Sequence, residues 1–323
     1  MFRLSSKISI EKELGQKYDW DFVTDVEINS SWSNFTETAV LTFPKNVKFF
    51  GNDIAGNDKP LFNRGDKIYI QLGYDDQLRV EFSGYVTKII PGVPVQIECE
   101  NESYLLKRKV IDKLSFKSVS LGDLLSEILP DGIEFESPDA ELGAFRVTNA
   151  TALQVLDELK KTYGFPAFFR NGKLYVGHTY VEELREQHEI KFEREVVNSA
   201  LEWQDKENTK IKVKAISMLP DNTKLSVEVG DVDGELRTLT YYNITSETEL
   251  ENRANEEIDR LRYDGYRGTF TMFGNAVVQH QHVVELFDAK FPERDGEYFV
   301  KSHRVIFGQS GFRREIELGI KSQ

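Results

Sequence analysis

The sequence predicts a mainly β chain of the α+β class, with two antiparallel β-barrels and a small α/β module between them. Three observations carry this. Alternating apolar and polar residues fill both ends of the chain, the middle switches to helical spacing, and two distant segments close on one plan. "EFSGYVTKIIPGVPVQIECE" (81–100) and "DGEYFVKSHRVIFGQSGFRREIEL" (295–318) each give a Gly–Tyr strand start, a turn containing glycine and an alternating final strand. The expected domains are residues 1–105, 106–188 and 189–323.

In the first block, "KIYIQLGY" places Ile68, Ile70 and Leu72 on one face. "VPVQIECE" does the same with Val95, Ile97 and Cys99, setting Gln96, Glu98 and Glu100 opposite. Period-two alternation means half-buried strands, one face packed and one wet. The connection 43–66, with Gly51, Gly56, Gly65 and two prolines, is long for a compact domain. Such loops either contact partners or are simply mobile.

The middle block changes period. "SLGDLLSEILPDG" reads as a helix with Ser120 as N-cap, stopped by Pro130 and Gly132. "NATALQVLDELKKTYGF" is a second helix, with Leu153, Leu156 and Leu159 on one stripe and Gly164 past its end. Asn171-Gly172 marks a hairpin. From about 186 the strands return, with Ile211, Val213 and Ala215 alternating against lysines, a turn at Pro220-Asp221-Asn222, and then Leu225, Val227 and Val229. One helix interrupts over 247–263, capped by Ser246 with Glu249 and carrying Leu250, Ala254, Ile258 and Leu261 on its stripe.

Composition limits the function classes. Hydrophobic residues at 40% and aromatics at 12% support real cores, and charged residues at 29% cover a soluble surface. No apolar run reaches transmembrane length, and the start has no apolar core of a secretory signal, so no membrane anchor is expected. A single cysteine, Cys99, rules out an internal disulfide framework and fits a reducing cytoplasm. A net charge of -13 argues against a nucleic-acid reader, which needs clustered Lys and Arg. The basic clusters at 107–109 and 260–267 read as solvated faces.

"FSGYVTKIIPG", "LDELKKTYGFPAFFRNGKLYVG" and "DGEYFVKSHRVIF", in that order, resemble the baseplate hub of contractile phage tails. That group includes the late control protein D family and the hub portion of type VI secretion spikes, and the likeness spans nearly the whole chain. The resemblance implies two tail-tube-like barrels per chain and a homotrimeric ring. Such a ring adapts a sixfold tail tube protein to a threefold spike. It implies a virion tail baseplate assembled in the bacterial cytoplasm, with DNA passing through the lumen without tight binding. The chain ends five residues after Leu318, so the spike is expected on a separate polypeptide.

No nucleophile elbow, phosphate loop, zinc-protease motif or cysteine pair appears, so no enzyme activity, cofactor or metal is expected. "QHQH" sets His280 and His282 on one face of a strand, where they either share a metal with His303 or form paired histidines. Tyr18, Trp20, Trp32 and Trp203 are either core aromatics or a sugar-binding strip. The alternative function is therefore a monomeric carbohydrate-binding or carbohydrate-active β protein. If the two ends are copies, Tyr85 and Tyr298 should correspond, and the 43–66 loop should take the place of the 247–263 helix. Val95, Ile97 and Cys99 should then face one core, and Phe312, Ile316 and Leu318 the other. Arg314 shares that inward parity and must find a carboxylate or escape at an edge.

Overall fold

The computed structural model describes residues 3–12, 15–44, 48–49, 52–53, 61–219 and 223–322. Backbone pairing gathers thirteen strands into one continuous sheet built from two similar halves. The first half uses Leu4–Glu11, Asp25–Ser31, Thr38–Phe43, Lys67–Tyr74, Gln77–Ile90 and Val95–Glu100. Counted in chain order, neighbours run second, third, sixth, fifth, fourth, first. The second half uses Gln187–Lys191, Val196–Gln204, Gly265–Phe273, Val283–Phe287, Gly296–Gly308 and Gly311–Lys321, in the same spatial order. All five pairings of the first half are antiparallel. In the second half four are antiparallel, but Gln187–Lys191 runs parallel to Val283–Phe287. The chain enters that strand from the opposite end, out of the middle module.

The repeat extends to single backbone groups. Each fifth strand carries a bulge, between Val86 and Lys88 opposite Cys99 and Glu98, and between Val300 and Ser302 opposite Leu318 and Glu317. At the bulge, Val86 N–H donates to the Asp66 carbonyl (2.9 Å) and the Val86 carbonyl accepts from Gly65 N–H (2.8 Å). Val300 does the same with His282 (2.8 Å) and Gln281 (3.2 Å). Gly65 and Gln281 hold matching left-handed backbone, φ 94° and 78°. Glycine adopts this at no steric cost. Gln281 is held there by its amide, which accepts from Val181 N–H and donates to the Thr179 carbonyl, both at 2.9 Å.

Beyond its bulge the Gly296–Gly308 strand changes neighbour. Ser302–Phe307 pairs antiparallel with 26–31 of the first half, and Arg304 bridges to Glu27 (2.8 Å) across this seam. The seam also redirects the cores. Val305, Phe307 and Phe312 pack into the first core with Ile28, Leu41 and Ile97, while Ile316 and Leu318 pack into the second with Val300 and Phe270. Phe312 thus departs from the expected assignment, because the final hairpin reaches over the first half. Aromatic rings pack in each core: Trp20 on Phe43 (6.1 Å) in the first, and Phe192 on Tyr266 (5.9 Å) in the second.

Tyr85 and Tyr298 do not correspond. The shared bulge aligns Val86 with Val300, so Tyr85 matches Phe299 and Gly84 matches Tyr298. The single-residue difference in Gly-to-Tyr spacing turns the side chain to the other face. Tyr298 is fully buried and its hydroxyl accepts from Tyr266 N–H (2.9 Å), whereas Tyr85 is half-exposed and stacks on Tyr104. At Gly84 a Cβ would overlap the Glu100 carbonyl oxygen and lie 2.7 Å from the Phe82 ring.

The middle module forms as its spacing predicts. Ser120 caps Leu121–Ile128 by accepting from Asp123 N–H (3.1 Å), and Thr151 and Gln154 form a reciprocal capping box on Ala152–Tyr163. Gly164 ends that helix at φ 71°, and Asn171 and Gly172 are both left-handed. Two small sheets, Val110–Ser120 with Glu141–Thr151 and Phe135–Glu136 with Ala167–Arg170 and Lys173–Val176, complete the module.

The expectation of a single barrel over 189–323 is corrected. Ile211–Met218, Lys224–Gly230 and Glu235–Tyr242 form a separate three-stranded sheet. Helix Glu247–Leu261 covers it, burying Leu250, Ala254 and Ile258 on Ile211, Val213 and Ala215. Alternation identifies a half-buried strand but not the sheet it joins. This inset lies between the second and third strands of its half. The 43–66 connection lies between the third and fourth, so it is not the counterpart of the helix; half of it, like the Pro220–Asn222 turn, falls outside the described residues.

Gly84→Ala is expected to destabilise the chain by about 3 kcal/mol, because backbone atoms and a core ring stop the methyl group from relaxing. A guanidinium midpoint unchanged within error would contradict this packing account.

Candidate functional site: the buried polar junction and the open sheet face

The inward parity of Arg314 is met by a carboxylate. Its Nη2 donates to Glu81 Oε2 at 2.7 Å, with both side chains essentially fully buried. Glu81 belongs to the first half and Arg314 to the second, so the pair ties the halves a second time. Burial raises the Glu81 carboxyl despite its cationic partner.

Beside it the middle module meets the second half. "QHQH" lies in a turn and not in a strand, because left-handed Gln281 reverses the chain there. The two histidines therefore part. His280 N–H donates to His303 Nδ1 (3.2 Å), and the rings stack at 5.9 Å. His282 lies between Arg170 and His188: Arg170 Nη2 is 3.0 Å from Nε2, and His188 Nε2 is 2.9 Å from Nδ1. Sequence reading missed His188 and Glu186, although "REQHEIK" puts them two apart on one face of a strand. Half-buried Arg170 was missed as well, since nothing local marks it as part of the cluster.

Glu186, His188 and His282 bring donor atoms within 4.8 Å of one another, a spacing that could hold a metal ion. Their hydrogen-bond partners favour another reading. A guanidinium only donates, so His282 Nε2 must accept and Nδ1 carries the hydrogen. That hydrogen is donated to His188 Nε2 and occupies the lone pair a metal would take. A ligating histidine directs its other N–H at an acceptor, whereas this one faces a donor. Arg170, His282 and His188 form a hydrogen-bond chain, while Arg170 Nε and the neighbouring His280 Nδ1 are buried with no hydrogen-bond partner among the described residues. Three of the rings accept from a neighbouring donor, which holds them neutral: Arg170 for His282, the His280 amide for His303, and His282 for His188. Burial, then the nearby Arg170 charge, pushes His280 and His282 down to about 3. Burial also lowers His188, and places His303 well below the ordinary range. Nearby Glu37 is pushed up to about 7 by desolvation.

The aromatic candidates do not converge. Trp20 lies in the first core with Tyr18 against it, Trp203 packs on Tyr266 (5.3 Å) in the second, and Trp32 stacks near Tyr180 (5.9 Å) at the middle module. The basic clusters are largely occupied: Lys107 pairs with Glu100 (2.6 Å), Arg108 donates to the Tyr104 hydroxyl (2.9 Å), and Arg262 pairs with Asp231. The solvent-facing side of the continuous sheet is polar and ion-paired, with Lys88–Glu98 (3.8 Å) and Lys301–Glu317 (2.6 Å) besides Glu27–Arg304. A hollow of about 350 Å³ on it is lined by Asn29, Ser31, Thr38, Thr269, Arg304 and Glu317, among other polar side chains. Its carboxylates and hydroxyls suit hydrogen bonding to a surface.

Arg314→Met leaves Glu81 buried without a partner and is expected to cost about 3–5 kcal/mol. Adding Glu81→Leu should restore most of it, and denaturant unfolding of the four proteins of the cycle reads the coupling. The histidines set a pH dependence. Their folded pKa values lie below the unfolded value near 6.5, so the unfolded chain binds more protons between about 6.5 and 3. Their stabilisation is complete above about pH 6.5 and is lost as pH falls through that window. Glu37 acts oppositely between about 4.5 and 7, so one variant isolates the histidine effect. In His282→Asn the slope of unfolding free energy between pH 6 and 5 should be shallower by about 1.4 kcal/mol per pH unit. An unchanged slope would mean that His282 is protonated in the fold.

No protein-family model matches the chain, and no curated protein matches it in sequence. Solved structures do match. A tail protein from Neisseria meningitidis MC58 superposes with a TM-score of 0.64 at 15% identity, covering 98% of this chain and 97% of that one. The 43 kDa tail protein of prophage MuSo2 from Shewanella oneidensis gives 0.62 at 16% identity, covering 98% of both. An E. coli component of the type VI secretion system, described as structurally similar to T4 bacteriophage tail proteins, gives 0.56 at 8%, covering 93% of this chain and 74% of that one. The chain therefore has the mainly β fold shared by phage and prophage tail proteins and by type VI secretion components.

Proposed function

We propose that this protein is a structural hub of a phage or prophage-derived contractile tail baseplate, a trimeric ring that joins a sixfold tail tube to a threefold spike. The observation that carries the reading is the six-strand order found twice in one chain and fused through a continuous sheet. Three such chains present six similar units to a tube while keeping threefold symmetry toward a spike. The units are residues 1–105 and 189–323, the latter bearing the inset, with the 106–188 module between them. The fold match to whole tail proteins supports this. The scattered aromatics give no support to a carbohydrate-binding reading.

The ion-paired sheet face lines the channel. Three carboxylate–base pairs run across it, so it offers no basic stripe to hold phosphates, and DNA slides past it. The role is mechanical and requires no chemistry.

Light scattering across protein concentration, with and without the cognate spike, tests the assembly. The expected mass is three chains, reached at lower concentration with spike present. A stable dimer, or a monomer at every concentration with spike, would remove the hub reading.

A further inference from the structure

Each half has a second strand with one edge free to pair and a fifth strand whose far part can accept it. Within the chain that slot is filled once: Ser302–Phe307 takes the 26–31 edge. The corresponding slot on the first half, Lys88–Ile90, pairs only with the Val95–Glu100 strand among the described residues. The corresponding edge on the second half, Val196–Gln204, ends the sheet, pairs among the described residues only with Gly265–Phe273 and is largely solvent-exposed. We infer that a second copy of this chain lays its Val196–Gln204 edge antiparallel onto Lys88–Ile90, repeating between chains the seam that joins the halves within one. The inference rests on the hub reading and specifies the contact between its subunits.

The register follows from the shared bulge. Aligning Val86 with Val300 aligns Ile97 with Ile316, and these align Leu41 with Phe270 through their ladders. The second strands then match as Ile28 with Leu201, Asn29 with Glu202 and Ser30 with Trp203. Inside the chain Arg304 faces Asn29 and His303 faces Ser30. Between chains Ile90 therefore faces Glu202, and Ile89 faces Trp203. The last pair puts two half-exposed apolar side chains together on the core side. Pro91, matching Val305, has no N–H to donate, so the new seam stays short. An open strand edge next to a matching slot is a template for strand addition, and the contact is head-to-tail, so it closes only as a ring.

Single variants Ile90→Cys and Glu202→Cys, both at surface positions, are mixed at high concentration under mild oxidation. Native Cys99 is 1% exposed and stays out of the reaction. Disulfide-linked dimers should form in the mixture and in neither variant alone, while Asn29→Cys/Arg304→Cys, the matching pair, cross-links within one chain. In the unaltered protein, amides of 196–204 should gain exchange protection as concentration rises. Assembly by light scattering without cross-linking beyond an Ile90→Cys/Asp233→Cys control, and without that protection, would overturn the seam and leave the hub reading standing. No assembly at any concentration would overturn both.

Discussion

The fold depends on the bulge at Val300. A strand edge can serve only one neighbour at a time, and the Gly296–Gly308 strand serves two: Val283–Phe287 before the bulge and the first half after it. The extra residue bends the strand and raises its local twist, and this lets one edge be handed from one sheet to the next. Three further features follow from that handover. Phe307 and Phe312 land in a core built by residues more than two hundred positions away. Arg314 is carried into full burial opposite Glu81. Gln281 must turn the chain out of the strand's path, so His280 and His282 face different neighbours.

The two halves keep the same backbone and exchange the chemistry. At the corner before the fourth strand, Asp66 accepts from Lys12 Nζ (2.5 Å), which follows the first strand of its half. The matching residue, His282, is bonded to His188 in the first strand of the other half. An ion pair and a neutral imidazole pair thus tie the same two strands. Gly65 and Gln281 divide the same left-handed conformation, one by lacking a Cβ and one by anchoring its amide. The repeated feature is a set of hydrogen-bond positions, and these constrain side chains only weakly.

That exchange decides how much was legible in the sequence. Alternation located the strands, and helix caps at Ser120 and Gly164 were readable because a cap needs particular side chains at particular offsets. The buried charge was readable from parity alone: Arg314 sits between Phe312 and Ile316 on the inward side of its strand, so it required a carboxylate. Glu81 itself was not identifiable, since pairing across 233 residues leaves no local trace. The inset sheet was misassigned for the same reason, because Ile211, Val213 and Ala215 alternate as any half-buried strand does. Matching tyrosines by motif failed where matching bulges succeeded. A Gly–Tyr motif can slip by one residue, but the hydrogen bonds of Val86 and Val300 cannot.

The internal seam also fixes the order in which the structure is built. Its six paired residues, its Glu27–Arg304 bridge and its shared core belong to one covalent chain, so closing it costs only loop entropy, which grows slowly with loop length. The proposed copy of that seam between chains adds the loss of translational and rotational freedom, and Pro91 shortens its ladder. In the proposed assembly the halves of one chain are therefore joined before chains meet, and the proposed ring forms only when concentration or a bound spike supplies the difference. A hub of the proposed kind would gain from that order: the chain presents two matched units in fixed relation, and the weaker contact is the one that can still correct its register during assembly.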